Sequence, residues 1–206
     1  MQGLLTIAPQ TFSHYFLPRG TPGYVMLSAA EELRAHGHRE AALRMANRAV
    51  TWYQGRVGDE ARQQDIRSGL GDALYQAERW QEAKAVFTEL AKHPADYYFD
   101  IYNQGRLGAV AARTGDVLTA RSIADALRNR KDRWLDGKHT FRAARIIALL
   151  GDKDGAVALL REAVAQGAGI SETPDAYGYG FIFPHCMDLE SLRGYPPYEE
   201  LIKTKG

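Results

Sequence analysis

Apolar residues recur three and four positions apart from residue 25 to residue 167, and period-two alternation is nearly absent there. The prolines outline the same stretch. Pro9, Pro18 and Pro22 lie near the start and Pro174, Pro184, Pro196 and Pro197 near the end, with Pro94 alone between them. A proline-poor middle rich in Ala, Leu, Arg and Glu suits helices, because proline removes a backbone donor and clashes with the preceding turn. The pattern predicts an all-α chain.

Four segments align on one register. They are LSAAEELRAHGHREAALRMANRAV from Leu27, SGLGDALYQAERWQEAKAVFTELA from Ser68, GRLGAVAARTGDVLTARSIADALR from Gly105 and FRAARIIALLGDKDGAVALLREAV from Phe141. Each reads as a helix, a polar turn and a second helix. A small residue recurs in the first helix (Ala30, Gly71, Gly108, Ala144) and an alanine in the second (Ala42, Ala83, Ala120, Ala156). Gly37, Gly115 and Gly151 mark the turn, with Glu78 at that place in the second segment. Close helix crossings at roughly 8–10 Å require small side chains at the contact. Leu33, Leu74, Ile147, Phe87 and Leu160 then fill the flanks, and Trp80 opens a second helix as an aromatic wedge. One hairpin cannot bury its apolar face alone, so hairpins of this kind stack.

The second segment, with Leu70, Gly71, Trp80, Ala83, Phe87 and Leu90 followed by Pro94, resembles the tetratricopeptide repeat. The third resembles it at Leu107, Gly108, Gly115, Ala120 and Leu127, the fourth at Ala144, Gly151, Ala156 and Ala163, and the first at Ala30, Gly37, Ala42 and Ala49. The segments start 41, 37 and 36 residues apart, against about 34 in the family, so the repeats are degenerate. The resemblance covers about 140 of the 206 residues. It implies an α-α superhelix of four hairpins over 25–168. An irregular N-terminal extension or remnant of a preceding repeat would occupy 1–24, and a loop with a short helical cap 169–206.

The tail HCMDLESLRGYPPYEELI, residues 185–202, is similar to the segment that closes tetratricopeptide regions in some bacterial signalling proteins, serine/threonine kinases and transcription regulators among them. The similarity lies in His185, Asp188-Leu189, Leu192-Arg193 and Pro197-Tyr198, and residues 134–151 look like the last repeat of such regions. It implies a sensor or scaffold role in bacterial signalling. No Gly-rich loop with a following lysine strand, HRD or DFG is present, so kinase activity does not carry over. As a cap, the tail offers Leu189, Leu192, Tyr198, Leu201 and Ile202 to the open end of the last hairpin. The stretch AYGYGFIF before it reads as a loop of packed aromatics. At the other end, Phe12, Tyr15, Phe16 and Leu17 pack onto the first hairpin or belong to a preceding repeat, and PRGTPG reads as a turn or linker.

Charge narrows the partners. Net charge is +1, which gives no global attraction to nucleic acid or to a membrane surface. Hydrophobic residues make up 45% and charged residues 25%, as in an ordinary globular chain. No apolar run approaches the ~18 residues of a membrane span. The single cysteine, Cys186, excludes an internal disulfide framework. No basic stretch precedes the short apolar run at the N-terminus, so a signal peptide is not expected. A cytoplasmic location follows as the expectation.

Catalytic signatures are missing: there is no GxSxG, HExxH or EF-hand loop. GKHT at 137–140 lacks the upstream glycine of a phosphate loop. His36 and His38 are two apart and share no helix face. His185 and Cys186 are adjacent and could not form a metal site without distant partners, and no structural context read from the sequence activates the thiol. Asp152 and Asp154 precede a helix, where acids stabilise its positive end. No cofactor is expected, and the reading is of a non-enzyme.

One constellation remains. The family's first helices line a groove, and the register places Tyr75, Tyr102, Arg106, Arg113, Lys138, Arg142 and Arg145 there. Lys138, Arg142 and Arg145 share one helix face, as do Arg106 and Arg113. Guanidinium forks grip carboxylates at two points, and cations gathered on one wall reinforce their potential. Lys138 and Arg142 match the Lys and Arg with which carboxylate-clamp members of the family hold a partner's C-terminus. Ser68 and Asp72 depart from that pattern. The expectation is an acidic or carboxylate-bearing peptide partner. The alternatives are a solvated basic face, internal pairing with Glu190, Glu199 or Glu200 of the cap, nucleic acid, a structural module or homo-oligomer formed through an end hairpin, and an enzyme with a site at the C-terminal loop and His185.

Overall fold

A computed structural model of the chain describes residues 21–59, 63–94, 96–132, 135–168 and 183–203. The described residues contain no strand. The helices are α1 Pro22–Ala35, α2 Arg39–Gln54, α3 Gln64–Gln76, α4 Trp80–Lys92, α5 Tyr97–Arg113, α6 Val117–Arg128, α7 Lys138–Leu149 and α8 Lys153–Ala165. A 3₁₀ helix η1, Met187–Leu192, and a short helix α9, Pro196–Ile202, follow. The fold is all-α.

Side chains cap the starts of α1, α5, α6 and α8. The Thr21 hydroxyl accepts the Tyr24 N–H at 3.2 Å, and Pro22 takes the first helical position, where a missing N–H costs nothing. The helix therefore begins three residues before the expected boundary, and the end of PRGTPG is a cap rather than a linker. Asp96, Asp116 and Asp152 accept from Phe99, Thr119 and Gly155 in the same way. Pro196 and Pro197 open α9.

The four turns agree with the repeat register. Gly37, Gly115 and Gly151 have φ of 81°, 80° and 85°, and Glu78 holds φ 60° at the equivalent place. A side chain there is strained. Two arginines hold Glu78 in position: Arg34 Nη2 donates to its carboxylate at 2.8 Å, and Arg39 donates from Nη2 at 2.5 Å and from Nε at 3.2 Å. Burial alone would raise the pKa of Glu78, but these hydrogen bonds outweigh it and hold the carboxyl below its usual value.

The chain divides into two compact units, with the boundary between Val86 and Phe87 inside α4. In the first unit, α1 and α2 form a hairpin and α3 packs on both. Its core includes Met26, Ala30, Ala42, Ala46, Val50, Leu74 and Tyr75. In the second unit, α5 pairs with α6 and α7 with α8, while α7 also packs on α5 and α6. Its core joins Ile101, Ala120, Leu127, Ile146, Ala156 and Leu160 to Leu189, Leu192 and Tyr198 of the cap. Phe183, the described end of the aromatic stretch, stacks on Phe141 with ring centres 5.2 Å apart. The rest of that stretch, residues 176–182, lies outside the described residues, as do Phe12, Tyr15, Phe16 and Leu17.

Small residues admit the next hairpin as well as the partner helix. A methyl group at Gly108 of α5 would lie 2.3 Å from Ile146 Cδ1 of α7 and 3.0 Å from Ile123 Cγ2 of α6. The absence of a side chain at that point brings α5 and α7 into close contact.

Candidate functional site

Helices α5 and α7 carry a basic wall within the second unit. Tyr102 of α5 is its centre. Arg142 reaches across from α7 to place its guanidinium 4.7 Å from the Tyr102 ring centre, and Arg106 approaches the same ring at 5.5 Å. Gly105 permits this crossing, because a methyl group there would meet the Arg142 side-chain carbons at 2.7–2.9 Å. Planar guanidinium groups stack well on aromatic rings and are weakly hydrated, so they tolerate burial better than ammonium groups. One turn earlier on each helix the arrangement repeats: Lys138 Nζ stands 5.9 Å from the Tyr98 ring centre and 3.3 Å from the Asp136 carboxylate. Gly137, with φ 71°, starts α7 under the Ala163 carbonyl, which a methyl group would meet at 2.3 Å.

The far end of the wall holds a carboxylate. Asp188 of η1 is 1% exposed. Arg145 donates to its Oδ2 from Nε at 2.9 Å and from Nη2 at 2.5 Å. Arg113 donates from Nη2 to Asp188 Oδ1 at 3.1 Å and to the Met187 carbonyl at 3.0 Å. Isolated buried charges are costly, and opposite charges in good hydrogen-bond geometry offset that cost. Ser191 adds a hydrogen bond to the Ala148 carbonyl at 3.3 Å.

Of the seven residues read from the sequence, six converge in this unit: Tyr102, Arg106 and Arg142 at one cluster, Lys138 beside it, and Arg113 and Arg145 on Asp188. Tyr75 does not join them. It lies in the first unit, fully buried, with its ring edge-on to Trp80 at 5.0 Å. The aromatic wedge read at Trp80 packs there, and Tyr75 offers no surface to a ligand. The arginines are also more enclosed than a solvated face would be: Arg106, Arg142 and Arg145 are 7%, 9% and 6% exposed. Internal pairing with the cap does occur, through Asp188, which was not among the three acids named from sequence. Glu199 instead accepts the Gly194 N–H at 2.8 Å.

Sequence reasoning missed Tyr98, Gly105 and Asp188. Tyr98 stands four residues before Tyr102, so helical spacing alone could have added it. A helix-interior glycine with no turn to make was the available signal for Gly105. The tail resemblance singles out Asp188 among the cap acids, but does not place it on the wall.

Burial pushes the Cys186 thiol up, away from the reactive thiolate, despite the nearby Arg145 charge. No group of three or more His, Cys, Asp or Glu among the described residues stands close enough to hold a metal ion. No described helix is long and apolar enough to cross a membrane. Comparison with protein-family models, with curated proteins and with solved structures finds no match to this chain.

Proposed function

We propose that the chain is a non-catalytic interaction scaffold of tetratricopeptide-like hairpins. Its wall on α5 and α7 receives an acidic or carboxylate-bearing segment of a partner protein. The observation that carries this reading is the grip of Arg113 and Arg145 on a carboxylate within that wall. Beside it, Lys138, Arg142 and Arg106 are arranged around two tyrosine rings. On this surface the Tyr98 ring is 39% exposed and Tyr102 is half-buried, with Arg106 and Arg142 enclosed beside them. A bacterial signalling context and a cytoplasmic location belong to the same proposal and rest on the resemblance of the tail.

The test is binding of a labelled peptide rich in Asp and Glu, followed by fluorescence anisotropy in low salt, with an Asn/Gln peptide of equal length as control. The wild-type chain is expected to bind the acidic peptide, and a Lys138→Glu, Arg142→Glu double variant of equal helicity to lose it. Equal binding by both proteins would remove the wall from the reading. A steep salt dependence with any DNA or RNA would favour nucleic acid instead.

A second reading, a structural or oligomerisation module, draws on the first unit. A cavity of about 350 Å³ opens there between α1 and α2, lined by Pro22, Met26, Arg48, Thr51 and Trp52. Val25 is half exposed on the same hairpin. Exposed apolar surface of this kind favours association, and mass by light scattering across a concentration series tests it.

A further inference from the structure

In the first unit, two rows of residues run along the α1–α2 hairpin, apolar except for one arginine. Pro22, Met26, Ala29 and Leu33 lie on α1, and Ala41, Met45, Arg48 and Trp52 on α2. Steps of four, three and four residues keep each row on one helix face. The cavity of about 350 Å³ lies where Pro22 and Met26 meet Arg48 and Trp52. Farther along, Ala29, Leu33, Ala41 and Met45 are all half-buried. Other faces of the same two helices already hold a helix. A methyl group on Gly69 of α3 would meet the Tyr53 ring at 2.4 Å, and Arg34 donates to the Gln76 carbonyl of α3 at 3.5 Å. The rows span about 16 Å at the helical rise, or roughly three turns. Grooves of that length between two helices take the apolar ridge of a third.

Charge selects the occupant. Arg48 is exposed at the mouth of the cavity, and among the described residues no carboxylate pairs with it. Arg44, one turn earlier, stands 3.8 Å from Glu40, and Arg56 lies over the Trp52 ring at 4.3 Å. Arginines spaced by multiples of four thus border the α2 side of the groove. Residues 1–20 contain Arg19 and no Asp or Glu, so they bring no charge to answer these cations. Two copies joined face to face about a twofold axis would set Arg48 against its own counterpart. A helix whose apolar ridge is flanked by Asp or Glu matches both the groove and its border.

We propose that this groove docks an amphipathic helix of a partner protein, with the apolar ridge between α1 and α2 and the acidic flank on Arg48. The proposal is independent of the wall on α5 and α7.

The test uses the full chain and a fluorescein-labelled, hydrocarbon-stapled helix of about 14 residues, with Leu three and four apart and Glu between them. A control helix carries Lys in place of Glu. In about 0.15 M salt, anisotropy is expected to show the wild type binding the Glu helix severalfold more tightly than the Lys helix. Arg48→Glu, at an exposed position, is expected to weaken the Glu helix severalfold and to tighten the Lys helix. Ala29→Gln changes no charge but lays a longer side chain across the groove, and it is expected to weaken both helices. The Lys138→Glu, Arg142→Glu variant is expected to bind the Glu helix as the wild type does. Circular dichroism verifies the fold of each protein. Unchanged affinity in Arg48→Glu and Ala29→Gln overturns the proposal. Loss of binding in the wall variant alone assigns the helix to the wall and also overturns it. Absence of binding by the wild type overturns the groove and leaves the wall to its own test. A concentration-dependent mass by light scattering that Ala29→Gln abolishes would make a second copy the occupant, and the partner helix would be overturned.

Discussion

Gly108→Ala tests whether the second unit depends on close approach of α5 and α7. Alanine is the better helix former by about 1 kcal/mol, so a solvent-facing site would gain stability. At Gly108 the new methyl would stand 2.3 Å from Ile146 Cδ1 and 3.0 Å from Ile146 Cγ1 and Ile123 Cγ2. Ile146 is fully buried, so its Cδ1 would have to shift within a packed core. Overpacking of this kind costs about 1–3 kcal/mol, and against the propensity gain it leaves a net loss of up to about 2 kcal/mol. Ile146→Val removes the methyl group that lies nearest and by itself costs about 0.5–1.5 kcal/mol. In the double variant the alanine methyl fills the space that Cδ1 vacates. Its loss should be no greater than that of Ile146→Val alone. Urea unfolding followed by circular dichroism at 222 nm measures all four proteins, and a constant m-value keeps the comparison valid. Gly108→Ala at or above wild-type stability, or single losses that add to within about 0.5 kcal/mol, would refute the close-contact account.

Three further outcomes are expected. Asp188→Asn should cost about 3–5 kcal/mol, because it strips charge from a fully buried pair, and the loss should persist in high salt; a loss below about 1 kcal/mol in urea unfolding would contradict the burial of that pair. Glu78→Ala should destabilise the first unit by about 2–3 kcal/mol by leaving Arg34 without its carboxylate, while Glu78→Gly should recover about 1 kcal/mol by relieving the left-handed strain; thermal melts that rank the two variants the other way would count against it. His139 is buried beside Thr140, and desolvation lowers its pKa below 6.5 despite the neighbouring Glu162. The unfolded chain then binds a proton that the folded chain refuses, so stability rises with pH up to about 6.5 and falls on acidification below it. His139→Gln should flatten that fall between pH 7 and pH 5, and an unchanged pH profile would exclude His139 as its source.

Much of the fold was legible along the chain. Helix class, the hairpin register, the left-handed turn position and the aspartate caps each depend on residues within a few positions of one another. Local rules reach that far: spacing sets the buried face, and a cap needs only its own first turn. Glu78 could be placed at the turn from the register, though its stabilisation by Arg34 and Arg39 required two side chains some forty residues away.

What joins distant segments was decided only on folding. Helical spacing put Tyr75 and Tyr102 on equivalent faces, yet Tyr75 is sealed against Trp80 while Tyr102 stands between two arginines. That Asp188 meets Arg113 and Arg145 followed from where the cap's apolar anchors, Leu189 and Leu192, seat η1 on α7. A charge settles where its backbone is delivered, and that delivery is set by packing between segments remote in sequence. The residues of the basic wall were thus readable one helix at a time, while the carboxylate that fills one end of it was a property of the tertiary structure.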